Sequence, residues 1–339
     1  MRLRVTMADI ARKTNTTAAT VSRALNGDPS ISEKKRAQIV ATAAKLQYRP
    51  HRIAASLRKG NTGLIGVIIP SAEINFFGSV VHGIERVANE QGYQVLIYQS
   101  NEQTASEAKG IETFLSARVD GILLSIAKET KTFDHILKAR EAGVPIAFFD
   151  RSHDNLGIHA VVIDDFKGGY LATQHLIEQG YQRIAHIAGP QHLRVFSERF
   201  RGYKKALSDA GIRYKAEWMY KGNVSIDAGR AAIDHWFDQG NPPDAVFAVE
   251  DFTALGAIKG LKERHIRIPT DFGVIGFANE GFGEHITPAL STIDQQTVQM
   301  GKEAFQLLFQ LIESADIDTS EQKFVLEPHM IIRASSQRR

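Results

Sequence analysis

The chain has 339 residues, 43% of them hydrophobic and 23% charged, which is the make-up of a soluble globular protein with room for roughly two to three separately cored domains. It has no cysteine, which excludes disulfides, thiolate metal sites and a cysteine nucleophile. No apolar run reaches membrane-spanning length and the N-terminus lacks the apolar segment of a secretory signal, so the expected location is the cytoplasm.

The formal net charge of +3 hides an uneven distribution. Residues 1 to 60 carry 13 Lys or Arg against 3 Asp or Glu, a net of +10, while the other 279 carry 28 against 35, a net of -7. A solvated basic tail would produce the same imbalance. Here the basic residues are interleaved with apolar positions at helical spacing, which points to a folded module that contacts phosphates.

In chain order, Thr6 with Asp9 three residues on reads as an N-cap and acidic first turn, starting a helix over Met7 to Lys13. Ala8, Ile10 and Ala11 supply its packing face, and Asn15 tolerates the left-handed backbone of a sharp turn. Thr17 caps a second helix on which Val21 and Leu25 face inward, while Ala18, Ala19, Ser22, Arg23 and Asn26 point outward. An ordinary helical hairpin is one reading of this stretch. The other is a helix-turn-helix whose second helix, short-chained at its start, enters the DNA major groove.

Ser32 to Leu46 reads as a third helix with an inward stripe of Ala37, Val40, Ala41, Ala44 and Leu46. Pro50 interrupts the chain, and His51 to Lys59 can form about two helical turns, too short to persist alone. It reads either as a plain linker or as a conditional hinge helix, the latter favoured by Ile53, Ala54 and Leu57 along one face. Gly60 to Gly63 marks a boundary.

From Leu64 the pattern becomes strand and helix in alternation. Apolar runs at 64–69, 93–98, 121–126 and 146–150 alternate with amphipathic stretches near 77–91, 104–117 and 131–142. A second series has runs at 160–163, 184–189, 245–250 and 274–278, with helices near 168–179, 197–210, 227–238 and 252–264. The expected class is α/β, two doubly wound parallel-sheet lobes with a ligand cleft outside the carboxyl ends of the strands. A helix near 297–314 and a strand at 324–332 cross back between the lobes. The implied division is 1–49 for the DNA-binding domain and 50–62 for hinge and linker. The N-terminal lobe is then 63–163 with 293–323, and the C-terminal lobe 164–292 with 324–339.

No Walker-type loop, dinucleotide fingerprint, GxSxG elbow or HExxH is present, and the twelve histidines are scattered. The expectation is a non-enzyme without metal or cofactor. The Asp164–Asp165 pair, after a strand end, reads as ligand to backbone amides or to a ligand hydroxyl.

These residues resemble the lactose-repressor (LacI/GalR) family of bacterial transcription regulators. The resemblance runs nearly the whole chain, through TMADIA, TVSRALN, YRPHRIAASL, IGVIIP, GIERVANEQGY, DGIL, HLIEQGYQRIAHIAGP, RFRGYKKAL, DFTALGA, IPTDFGVIGF and TPALSTIDQ. It implies a periplasmic-binding-protein type of body and a homodimer on a palindromic operator. It also implies a small effector between the lobes, most often a sugar or sugar phosphate, and a role in repressing carbohydrate-use genes. A sugar-binding protein for transport or sensing is the alternative that the body alone would suggest.

Carried over by position, the resemblance makes Ala18, Ala19 and Arg23 base readers. Thr6, Thr17, Thr20, Ser22 and Asn26 become phosphate contacts, and Ala54 with Leu57 a minor-groove hinge whose leucine kinks the duplex. The implied effector residues are Phe76, Phe77, Asp150, Arg199, Glu250, Asp251, Asn279 and Gln295. The chain departs from the family in three places. Ala278–Asn279 follows VIGF where many members carry a sugar-binding aspartate, Val224 stands where an aromatic platform is common, and Glu250–Asp251 replaces Asn–Asp.

Overall fold

The computed structural model describes residues 5–48, 61–314 and 322–338. The hinge segment, with Ala54 and Leu57, lies outside the described residues. Two compact units result, dividing between Thr62 and Gly63.

The first unit is three helices, α1 (Met7–Lys13), α2 (Ala18–Leu25) and α3 (Glu33–Lys45). A reciprocal capping box starts α1: Thr6 Oγ1 accepts from Asp9 N at 3.3 Å, and Asp9 Oδ2 accepts from Thr6 N at 2.9 Å. Arg12 and Lys13 complement the dipole at its other end. Asn15 turns the chain in the left-handed region, φ 47°, and Thr17 Oγ1 accepts from Thr20 N at 3.2 Å to start α2. Ile10, Ala11, Val21, Ala24, Ile39 and Ala43 form the core.

Of the stripe expected on α3, Leu46 packs against the core, but the rest is displaced by one position. Ile39 is 0% exposed and Ala43 is buried, whereas Val40 is 49% exposed and Ala37, Ala41 and Ala44 face solvent. Alanine is small enough for either face, so an alanine-rich helix does not declare its inward side. The one large side chain that fits between α1 and α2 decides it, and burying it contributes roughly 1.5–3 kcal/mol.

The second unit contains two parallel sheets and a bridging ribbon. The first sheet has the order β11-β5-β4-β3-β1-β2, from β1 (Leu64–Ile69), β2 (Gln94–Gln99), β3 (Gly121–Leu124), β4 (Ile146–Phe149), β5 (His159–Ile163) and β11 (Lys323–Leu326), all pairs parallel. It is covered by α4 (Asn75–Glu90), α5 (Thr104–Ala117), α6 (Asp134–Glu141) and α11 (Thr297–Glu313). The inner strands are buried on both faces, which is why they read as unbroken apolar runs.

The second sheet has the order β7-β6-β8-β9, from β6 (Ile184–Ala188), β7 (Met219–Lys221), β8 (Ala245–Ala248) and β9 (Gly273–Ile275), again parallel. Its helices are α7 (Asp165–Glu178), α8 (Arg194–Asp209), α9 (Ile226–Asp238) and α10 (Asp251–Glu263). β10 (Thr292–Asp294) and β12 (His329–Ile331) pair antiparallel and connect the lobes.

Three expectations need correction here. The apolar run at 160–163 belongs to β5 of the first sheet, so the second series begins one strand later. Its missing strand is β7, a three-residue edge strand with no apolar run to announce it. The expected strand at 324–332 is two strands in two sheets: β11 pairs with β5, and β12 with β10. A lobe boundary at 323/324 therefore cuts through β11, and Phe324 to Leu326 sit in the N-terminal lobe.

Candidate functional site

On α2, Val21 and Ala24 are buried, and Ala18, Ala19, Arg23 and Asn26 are exposed. Thr6 and Thr17 are exposed as well, with hydroxyls already in local hydrogen bonds, Thr6 Oγ1 donating to Asp9 Oδ2 at 2.7 Å and Thr17 Oγ1 lying 3.0 Å from Thr20 Oγ1. Ser22 is a correction: it is only 7% exposed and lies on the inward side of α2 with Val21 and Leu25, so it does not join the outward row. The accessible ridge is Ala19, Arg23 and Asn26, at helical spacing, with Ala18 at its N-terminal end.

In the body, a cavity of about 300 Å³ opens between the lobes at the carboxyl ends of the strands. The N-terminal lobe contributes Phe76 and Phe77 from the start of α4 and Asp150 and Arg151 from the end of β4. The C-terminal lobe contributes Arg199 from α8, Glu250 before α10, and Glu280, while Gln295 follows the ribbon strand β10. Val224 and Ala278, where the chain departs from the family's aromatic and aspartate, line the same cavity.

Arg199 is locked. Its Nε donates to Asp165 at 2.8 Å, Nη1 to the Val249 carbonyl at 2.8 Å and Nη2 to Gln295 Oε1 at 3.1 Å, and its guanidinium stacks 3.6 Å from the Phe277 ring centre. Burial pushes the Asp165 carboxyl up to about 7 against the pull of Arg199. Its neighbour Asp164 caps α7, accepting from Lys167 N at 2.8 Å. The pair thus divides into a backbone cap and an arginine anchor.

Arg151 and Lys128 share one carboxylate behind the cavity wall. Arg151 Nη1 lies 2.8 Å from Glu102 Oε2 and Lys128 Nζ lies 3.5 Å from Oε1. Burial opposes the charge on Glu102, but Arg151 and Lys128 hold its carboxyl below the usual range. Burial raises Asp150, which accepts from Ser125 at 3.4 Å in a left-handed backbone, φ 58°. Glu250 is raised for the same reason while it caps α10, accepting from Phe252 N at 2.8 Å and Thr253 N at 2.5 Å.

Two expected pocket residues are not in the wall. Asp251 is fully buried behind it, accepting from Glu280 N and from Thr292 Oγ1, each at 2.7 Å, and burial lifts its carboxyl to about 7. Asn279 turns away, donating to Asp294 Oδ2 and accepting from Arg333, both at 3.0 Å. The cause is the backbone, since Ala278 at φ 129° and Asn279 at φ 54° twist the chain so that the next residue, Glu280, enters the cavity. Sequence reasoning missed Glu280, Glu73, Lys128, Arg151, Phe196 and Phe252. Arg151, Phe252 and Glu280 each adjoin an expected residue; Glu73, Lys128 and Phe196 carry no local signal.

Residues 6–51 match the family model described as bacterial regulatory proteins, lacI family, and residues 62–332 match the one described as periplasmic binding proteins and sugar binding domain of LacI family. The chain belongs to the LacI family. The transcriptional repressor PurR of Pasteurella multocida is 31% identical over 338 residues, covering 98% of this chain and 99% of that protein. Among solved structures, the lac repressor dimer bound to operator and the anti-inducer ONPF superposes with a TM-score of 0.88 at 25% identity, covering 99% of this chain and all of that one. The CelR–cellobiose complex matches with a TM-score of 0.74 at 30% identity, over 98% of this chain and all of the other.

This LacI-family chain is a DNA-binding transcriptional regulator with an effector-binding body. The transport reading is set aside, because the head-piece matches a regulator's DNA-binding module in its own right. Among the described residues no helix is long and apolar enough to cross a membrane, and no cluster of three potential metal ligands occurs.

Proposed function

We propose that this regulator is a cytoplasmic, non-enzymatic homodimer that represses carbohydrate-use genes from a palindromic operator and is switched by a small carbohydrate bound between its lobes. In this reading Arg23 donates both guanidinium arms to a guanine, and Ala18 and Ala19 make apolar contact with bases. Thr6, Thr17, Thr20 and Asn26 hold phosphates. The buried Ser22 is left out of that set, and Ala54 and Leu57 retain the hinge role. Phe76, Phe77, Asp150, Arg199, Glu250 and Gln295 contact the effector, Asp251 supporting them from behind.

The observation that carries the effector class is the wall itself, with aromatic faces from both lobes beside a fixed guanidinium and buried carboxylates, a combination that packs on sugar rings and pairs with their hydroxyls. CelR, similar along its whole length, was solved with cellobiose. Coupling follows from linkage: a ligand that prefers one lobe arrangement changes operator affinity by its differential free energy, about 1–3 kcal/mol for ordinary allosteric pairs.

The test is a gel shift against DNA upstream of the regulator's own gene, with cellobiose, glucose and ribose added in turn. A specific shift altered by one of them, with the alteration lost and the shift retained in Arg199→Ala, is expected. A specific shift untouched by every carbohydrate would remove carbohydrates from the role.

A further inference from the structure

The lobes are joined across the cleft by a carboxylate. Glu280, only 4% exposed, accepts from Phe76 N at 3.2 Å, and the Asn75 side chain donates to it as well. Both donors lie in the first turn of α4 in the opposite lobe, and α4 has no cap of its own, because the residue at its N-cap is Ile74. The four orphan amides of a helix start carry partial positive charge and are a natural seat for an anion. Here the protein supplies that anion from the far side of its own cavity.

Two further observations show that Glu280 is held there. Its own N–H is bonded to the buried Asp251, and the two residues before it have left-handed backbones, at φ 129° for Ala278, where a side chain is rarely accommodated. The rest of the wall is acidic too, and burial raises the Glu280, Asp150 and Glu250 carboxyls alike. Glu73, Asp150 and Glu250 line the cavity beside Glu280, whereas the cations Lys128, Arg151 and Arg199 each already face a carboxylate behind the wall. An incoming phosphate would find carboxyl groups on every side, its cationic partners already engaged, and the helix start taken.

We propose that Glu280 determines which effectors the cleft accepts: by capping α4 from the opposite lobe it holds the lobes together and turns away anionic ligands, leaving the cavity to uncharged polyhydroxylated molecules. This rests on the cleft being the effector site. Donor hydroxyls of such a ligand can share the Glu280 carboxylate with the α4 amides, whereas a sugar phosphate would compete with it for them.

Two full-length variants separate the cap from the charge. In Glu280→Gln the side-chain amide oxygen can still accept from Phe76 N without the charge, while Glu280→Ala removes both. Amide exchange over residues 75–77 should quicken about fivefold or more in Glu280→Ala, as loss of an ordinary N-cap implies. In a thermal melt, inorganic phosphate, compared with chloride of equal ionic strength, should raise the midpoint of both variants by more than it raises that of the wild type, whose basic head-piece and general salting-out response are common to all three. Unchanged exchange in Glu280→Ala, or the same phosphate response in all three proteins, would overturn the proposal. Neither readout involves operator DNA or a sugar, so failure here and failure of the carbohydrate reading are told apart.

Discussion

Arg23 is the only long hydrogen-bonding side chain on the exposed ridge of α2, between Ala19 and Asn26. Replacing it with alanine should weaken operator binding by about 1–3 kcal/mol and relax base preference at a single position in each half-site. Titration against a set of single-base operator variants checks this. Equal weakening across all of them would make Arg23 a phosphate contact. At this scale the sequence was informative wherever a residue's type and its local spacing sufficed, as with the capping box of Thr6 and Asp9 or the turn at Asn15. It misplaced Asn279 and passed over Glu280 because two left-handed residues in succession redirect the chain, and neither Ala278 nor Asn279 advertises that.

Among elements, the crossing of α7 and α8 bears most directly on the cleft, because α8 carries Arg199. The helices approach so closely that a Cβ built on Gly169 would lie 2.2 Å from the Arg199 carbonyl oxygen, and one on Gly202 2.1 Å from that of Phe166. These contacts are backbone, so no side chain can yield. Gly169→Ala should therefore force the helices apart, lowering stability by about 1–3 kcal/mol and moving Arg199 off Asp165 and Gln295. Urea unfolding measures the first effect, and the effector response in the gel shift the second. An unchanged unfolding midpoint would show that the pair separates without cost. Helix positions along the chain were legible from amphipathic periodicity, since each helix buries one face, on a sheet in the body and on its fellow helices in the head-piece. The short edge strand β7 was not, because three residues, none of them buried, give no period to read.

For the whole molecule, the governing features are the division of charge and the interleaving of the lobes. A chain whose first 60 residues hold 13 basic and 3 acidic residues, ahead of an acidic remainder, should bind operator with strong salt dependence, losing roughly 10³-fold or more between about 50 and 200 mM salt. A flat profile in filter binding across that range would mean that phosphate contacts contribute little. The body's chain crosses between lobes after β5, again before α11, and again between β11 and β12, so neither lobe is a continuous segment. Any ligand that changes the angle between lobes acts on all three crossings at once.

By itself, the sequence determined the class of the molecule: a basic helical module ahead of an α/β body, the caps and turns of the first two helices, and the buried strands. Those features depend on neighbours a few residues apart, where residue type and period carry the physics. Tertiary structure alone decided which face of an alanine-rich helix is inward, which sheet receives β5 and β11, and which carboxylates reach the cleft. Asp251 and Glu280 are both acidic residues near strand ends, yet one is sealed behind the wall and the other bridges it. What separates them is a backbone twist and the approach of a helix some two hundred residues earlier in the chain.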